Sequence, residues 1–179
     1  MRDGMTQEKK GLRIVVEYEK SHFDLQWRRK EILDSKASNL ISIIGIILGV
    51  YTASSSFLLE KMAISPYFYV VSALFILGTI FYLYAAYNGL KALAVRKYSL
   101  GPDPQDFADK WADAKEEDTL IALMLALVDS SKKVSAVSNE QARNLESGHR
   151  YLVFGLFWTF LFVLSLIFAK ILDALQYLD

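Results

Sequence analysis

Three stretches without a charged residue decide what this chain can fold into: 39–59, 62–90 and 151–169. About 20 consecutive apolar residues carry an α-helix across the hydrocarbon core of a bilayer. Inside that core every backbone N–H and C=O needs a partner within the protein, which leaves helices or closed barrels. The three runs are too long and alternate too weakly to be barrel strands. The expected fold is therefore an all-α integral membrane protein, with three transmembrane helices extended into a cytoplasmic helical bundle. The first run follows a long polar segment, so it reads as a span and not as a cleaved signal peptide.

Lysine and arginine beside the runs set the expected orientation. Arg28, Arg29, Lys30 and Lys36 precede the first run. Lys91, Arg96 and Lys97 follow the second, and Arg143 and Arg150 precede the third. The opposite side has Lys61 and Lys170. The expectation is a multi-pass protein of the inner (plasma) membrane, N-terminus cytoplasmic and C-terminus external. The layout then divides into a cytoplasmic N-terminal helix (1–38), a two-span hairpin (39–90), a cytoplasmic helical region (91–150), a third span (151–172) and a short external tail (173–179). The link at 61–66 is a tight turn, with Pro66 suited to the first position of the second helix. Aromatic residues fit the same depths: Tyr67, Phe68 and Tyr69 at one interface, Tyr82, Tyr84, Tyr87 and Tyr98 at the other.

The cytoplasmic parts also read as helical. Between 6 and 38 there is no proline, and Ile14, Val15, Tyr18, Leu25, Ile32 and Leu33 recur at helical spacing, so one helix should run unbroken into the first span. Gly101 and Pro102 are expected to break the preceding helix. Asp103 can then cap a new helix through Phe107, Trp111 and Ala114, with Asp106 three residues after the cap. The apolar run at 119–128 is too short to span a bilayer. It suits a helix enclosed by protein on most sides, continuing through Val134, Val137 and Leu145 into the third span.

The chemistry-bearing residues are sparse. There is no cysteine, hence no disulfide or thiolate site, and His22 and His149 alone cannot furnish a zinc site. No nucleophile elbow, phosphate-binding glycine loop or zinc-protease motif occurs, so no enzyme activity, metal or cofactor is expected. The basic residues flank apolar runs, where they read as membrane anchors, and no nucleic-acid partner is expected.

Two stripes and one cluster stand out. Asn39, Ser42, Gly45, Gly49, Thr52 and Ser56 fall three or four apart on one face of the first span, and "GIILG" is a small-xxx-small motif that lets helix backbones approach closely. That face either packs against the other spans of the same chain, or meets its copy around an oligomer axis or lines a pore. No charge lies mid-membrane, which argues against a proton relay or ion-coupled transport. Asp106, Asp109 and Asp113, then Glu116 or Glu117, form an acidic stripe opposite Phe107, Trp111 and Ala114. It reads as a solvated face or, with Phe107, Trp111, Asp109 and Asp113, as a docking surface. At the membrane edge Lys30 can pair with Asp34 one turn on. Asp34 is expected to meet Arg143, and Lys36 to meet Glu146, clamping the first and third helices.

The stretch "LDSKASNLISIIGIILG", with Asp34, Lys36 and Ala37 ahead of the span, resembles the D-x-K-A entrance of Pycsar-type transmembrane effectors and the related SLATT-like proteins of prokaryotic antiviral defence. The order of elements is similar too, through the closing "GHRYLVFGLFWTFLFVLSLIFA". The resemblance implies an effector that oligomerises and disrupts membrane integrity when triggered, although no nucleotide-binding signature is recognisable. The expected function is a homo-oligomeric membrane effector or pore that changes permeability on a cytoplasmic signal, a nucleotide among the candidates. The alternative is a non-conducting scaffold that recruits a soluble partner.

Overall fold

A computed structural model describes the backbone of residues 2–59, 66–94, 109–111 and 114–176, and the side-chain surroundings of 10–54, 67–94, 109–111, 114–168 and 171. Residues 61–65 of the expected link, the Gly101-Pro102 break, the Asp103 cap, Asp106, Phe107 and Asp113 lie outside these residues, as do the side chains of Ser56 and Pro66.

The described chain is helical and holds no strand. Helix α1 runs Arg2–Leu59, α2 Pro66–Ala94 and α3 Glu116–Gln176. No proline falls between 2 and 59, so nothing interrupts the hydrogen-bond ladder of α1, and the polar N-terminal segment and first apolar run share one helix as expected. Proline opens α2, where its missing N–H costs nothing. A bend at Ala114 precedes α3, whose first turn carries Glu116, Glu117 and Asp118 against the positive end of the helix dipole. The run at 119–128 lies inside α3, in one helix with the third apolar run. All three helices are long and apolar enough to cross a membrane.

The chain separates into two compact units. One comprises Met1–Asp34 and Val95–Ala142, the other Ser35–Ala94 and Arg143–Asp179.

In the first unit α1 and α3 run parallel. His22 Nδ1 lies 2.8 Å from Ser131 Oγ, Arg29 donates to Asn139 Oδ1 at 3.1 Å, and Arg13 pairs with Glu116. The seam between them is unusually polar: Lys30, Ser130, Ser131, Ser138 and Gln141 are buried beside Val16 and Val134. The run at 119–128 is less enclosed than its composition implies, for Ile121 and Leu125 face outward.

In the second unit α2 runs antiparallel to the two other segments. A ring cluster forms the core: Tyr51 stacks on Phe75 with centroids 4.6 Å apart and meets Tyr82 and Phe162 edge-on. Glycines on α2 and α3 let the helices close. A Cβ at Gly155 would lie 2.7 Å from Tyr82 Cε1, and one at Gly148 2.9 Å from Leu40 Cδ2 and 3.3 Å from the Ala85 carbonyl. Tyr82 is 0% exposed and shares a 2.9 Å hydrogen bond with Thr159. It is thus a packing residue and not the interfacial ring its position suggests, whereas Tyr84 and Tyr87 do face outward. Around this core Val70, Ile76, Leu83, Val153, Phe157 and Phe160 all point away from the protein. Apolar side chains outside and hydrogen-bonded hydroxyls inside reverse the usual order for a chain in water.

Candidate functional site

On α1 of the second unit, Ala37, Leu40, Ile44 and Tyr51 are buried against the rest of the chain. Asn39, Ser42, Gly45, Gly49 and Thr52 occupy the other side, and all are exposed. A Cβ built at Gly45 or Gly49 would meet nothing within 4 Å. The intrachain reading of the small-residue stripe therefore gives way. The close approaches within the chain are made at Gly78, Gly89, Gly148 and Gly155, while the "GIILG" face is left open.

The hydroxyls on this face are already served by their own helix. Ser42 Oγ donates to the Ser38 carbonyl at 3.0 Å, and Thr52 Oγ1 to the Leu48 carbonyl at 2.6 Å. Such back-bonding satisfies the donor without water. At Ser42 and Thr52 the face can therefore lie against an apolar surface without stranding a hydroxyl hydrogen.

The charged cluster is arranged differently from expectation. Lys30 Nζ sits 3.0 Å from Asp34 Oδ2, the anticipated pair, and also 5.1 Å from the Trp27 ring centroid. The other carboxylate oxygen, Oδ1, accepts from Gln141 Nε2 at 2.9 Å. Gln141 and not Arg143 is the α3 residue that serves Asp34. Two residues correspond to about 200° round a helix, so with Gln141 buried in the seam Arg143 turns outward, and it is exposed. The Lys36–Glu146 pair does not form either. Glu146 pairs with Arg150 at 2.7 Å along its own helix, and Lys36, one residue ahead of buried Ala37, is exposed.

Of the acidic stripe, Asp109 is exposed and Glu116 is taken up by Arg13, whose pKa is raised by that hydrogen bond and by the carboxylate charge. Trp111 is half-buried, and its expected companions Phe107 and Asp113 fall outside the described residues. Among the described residues no three His, Asp or Glu side chains gather to hold a metal.

Gln141 and the His22–Ser131 contact are what sequence reasoning missed. A signal exists: Val134, Ser138, Gln141, Leu145 and Gly148 recur at alternating spacings of four and three, and every one is buried. The polar members of that series hide a core face that apolar counting passes over.

No protein family, curated protein or solved structure matches this chain.

Proposed function

We propose that this protein is a homo-oligomeric membrane effector whose subunits meet through the Asn39, Ser42, Gly45, Gly49 and Thr52 face of α1, and which changes membrane permeability on a cytoplasmic signal. The observation that carries the reading is the open space over Gly45 and Gly49 on a helix apolar enough to cross a membrane. Small residues matter in lipid because they let a second helix approach closely, so that packing supplies the attraction hydrophobicity cannot. This chain uses its other tight glycines for its own packing, which leaves the α1 face for another helix. The self-satisfied hydroxyls of Ser42 and Thr52 suit that contact.

In this reading the membrane is the plasma membrane, the N-terminus is cytoplasmic, and the unit of Met1–Asp34 and Val95–Ala142 receives the signal. The resemblance at Asp34, Lys36 and Ala37 to Pycsar-type and SLATT-like effectors supplies antiviral defence as the setting, and a nucleotide as one class of trigger. The test is ion flux through liposomes holding the purified protein, alone and with a panel of cyclic nucleotides. Flux that disappears in Gly45→Leu/Gly49→Leu supports the effector. A stable oligomer that passes no ion under any of these conditions supports the scaffold that recruits a soluble partner.

A further inference from the structure

The inward side of α1 in the first unit is marked by Val16, Phe23 and Lys30, seven apart, the first and last buried and Phe23 half-buried. Two residues further on, about 200° round the helix, lies another series at the same spacing: Tyr18, Leu25 and Ile32. A helix packed on one side and wetted on the other should be polar here. Instead Tyr18 is 67% exposed, Leu25 61% and Ile32 55%, with Ile14 at 59% one turn before Tyr18.

The flanks of this stripe differ in charge. On one side, directly ahead of each apolar residue, stand Glu17, Asp24 and Glu31; on the other stand His22 and Arg29. All five are exposed. In heptad terms Tyr18, Leu25 and Ile32 occupy a, the acids g, and His22 and Arg29 e. When two such helices lie parallel, each g residue faces the e residue five positions on in the other helix. Glu17 then meets His22 of the second copy, and Asp24 meets Arg29. In sequence the register continues, with Lys36 five residues after Glu31.

We infer that this outward stripe of α1 is a parallel self-association seam, in which Tyr18, Leu25 and Ile32 pack against their counterparts in a second copy and the flanking charges fix the register. The inference rests on the homo-oligomer proposed above, since chains inserted in one orientation can meet only in parallel. The charges favour a second copy over a lipid surface. A helix that lies on an anionic bilayer has Lys and Arg beside its apolar face, whereas one whole flank here is acidic. Intrachain contacts leave the basic flank free to act: Arg29 uses one of its five N–H groups on Asn139, and His22 engages Ser131 through Nδ1, leaving Nε2. The d positions Ser21 and Arg28 dilute the seam, so it specifies register more than it supplies affinity.

The chain contains no cysteine, so single substitutions report cleanly. In full-length protein in detergent, Leu25→Cys should form a disulfide-linked dimer on mild oxidation. Lys20→Cys, on the opposite side of the helix and exposed, should not. Asp24→Arg and Arg29→Glu should each lower the Leu25→Cys cross-linked fraction several-fold, and the double variant Asp24→Arg/Arg29→Glu should restore it. Loss of the Arg29 contact to Asn139 could not be repaired by a change at Asp24, so rescue is specific to the proposed pairing. An oligomer by native mass spectrometry in which Leu25→Cys fails to cross-link, or in which charge reversal has no effect, overturns the seam and leaves the homo-oligomer standing. That outcome assigns the stripe to lipid or to a different protein. A monomer throughout overturns both.

Discussion

Gln141 reaches from α3 to Asp34 on α1, its Nε2 donating to Oδ1 across 2.9 Å, while Lys30 holds the second carboxylate oxygen at 3.0 Å. One side chain thus ties the two helices together through an ion pair that lies mostly away from solvent, with Lys30 11% and Asp34 28% exposed. A pair taken out of water is tolerated when its remaining lone pairs are satisfied, and it becomes costly when one partner is removed.

Asp34→Ala should therefore destabilise the α1–α3 seam by on the order of 2 kcal/mol, below the roughly 3–5 seen for fully buried pairs because Asp34 keeps some solvent. Thermal unfolding in detergent is the check. Replacing both charges, as Lys30→Met/Asp34→Leu, should recover most of that loss, since no unpaired charge is then left. A double variant less stable than Asp34→Ala would contradict this assignment.

The glycines divide into two classes. Gly155→Ala drives a methyl into the ring of Tyr82, which is enclosed and hydrogen-bonded and has nowhere to move. Overpacking of this kind costs about 1–3 kcal/mol. Gly45→Ala meets only open space and should leave monomer stability unchanged or raise it by up to about 1 kcal/mol through helix propensity. Measuring unfolding of both variants side by side separates the packed face from the open one.

Tyr82→Phe removes the hydroxyl that bonds Thr159, but Thr159 still donates to the Gly155 carbonyl. The expected loss is small, about 0.6 kcal/mol and no more than about 1.7, the range for hydrogen bonds between membrane helices. A double-mutant cycle with Thr159→Val isolates the pair, and a coupling well above that range would mean the hydroxyl holds more than its one partner.

How much of this was legible beforehand differs from residue to residue. The helices follow from simple physics: uncharged runs at 39–59, 62–90 and 151–169, no proline before Pro66, and Pro66 itself opening α2. Lys30 with Asp34 was readable from their spacing. The cross-helix contact was not, because a two-residue shift from Gln141 to Arg143 reverses the face, and charge complementarity pointed to the arginine. The polar seam hid for a related reason: Ser138 and Gln141 do not look like core residues until their register with Val134 and Leu145 is seen. Conversely Tyr18, Leu25 and Ile32 look like core and face outward, since periodicity says that a face exists but not which partner covers it. The stripe at Gly45 and Gly49 was visible as a pattern, and only the packing of the other glycines shows that the chain does not use it on itself.

The proposed assembly depends on that open face. Native mass spectrometry of the full-length protein in detergent, beside its Gly45→Leu/Gly49→Leu variant, tests it most directly. The expected result is a discrete homo-oligomer that becomes a monomer in the variant, with thermal unfolding of the monomer unchanged because the new side chains enter open space. A wild-type monomer, or an oligomer that both leucines leave intact, would contradict it.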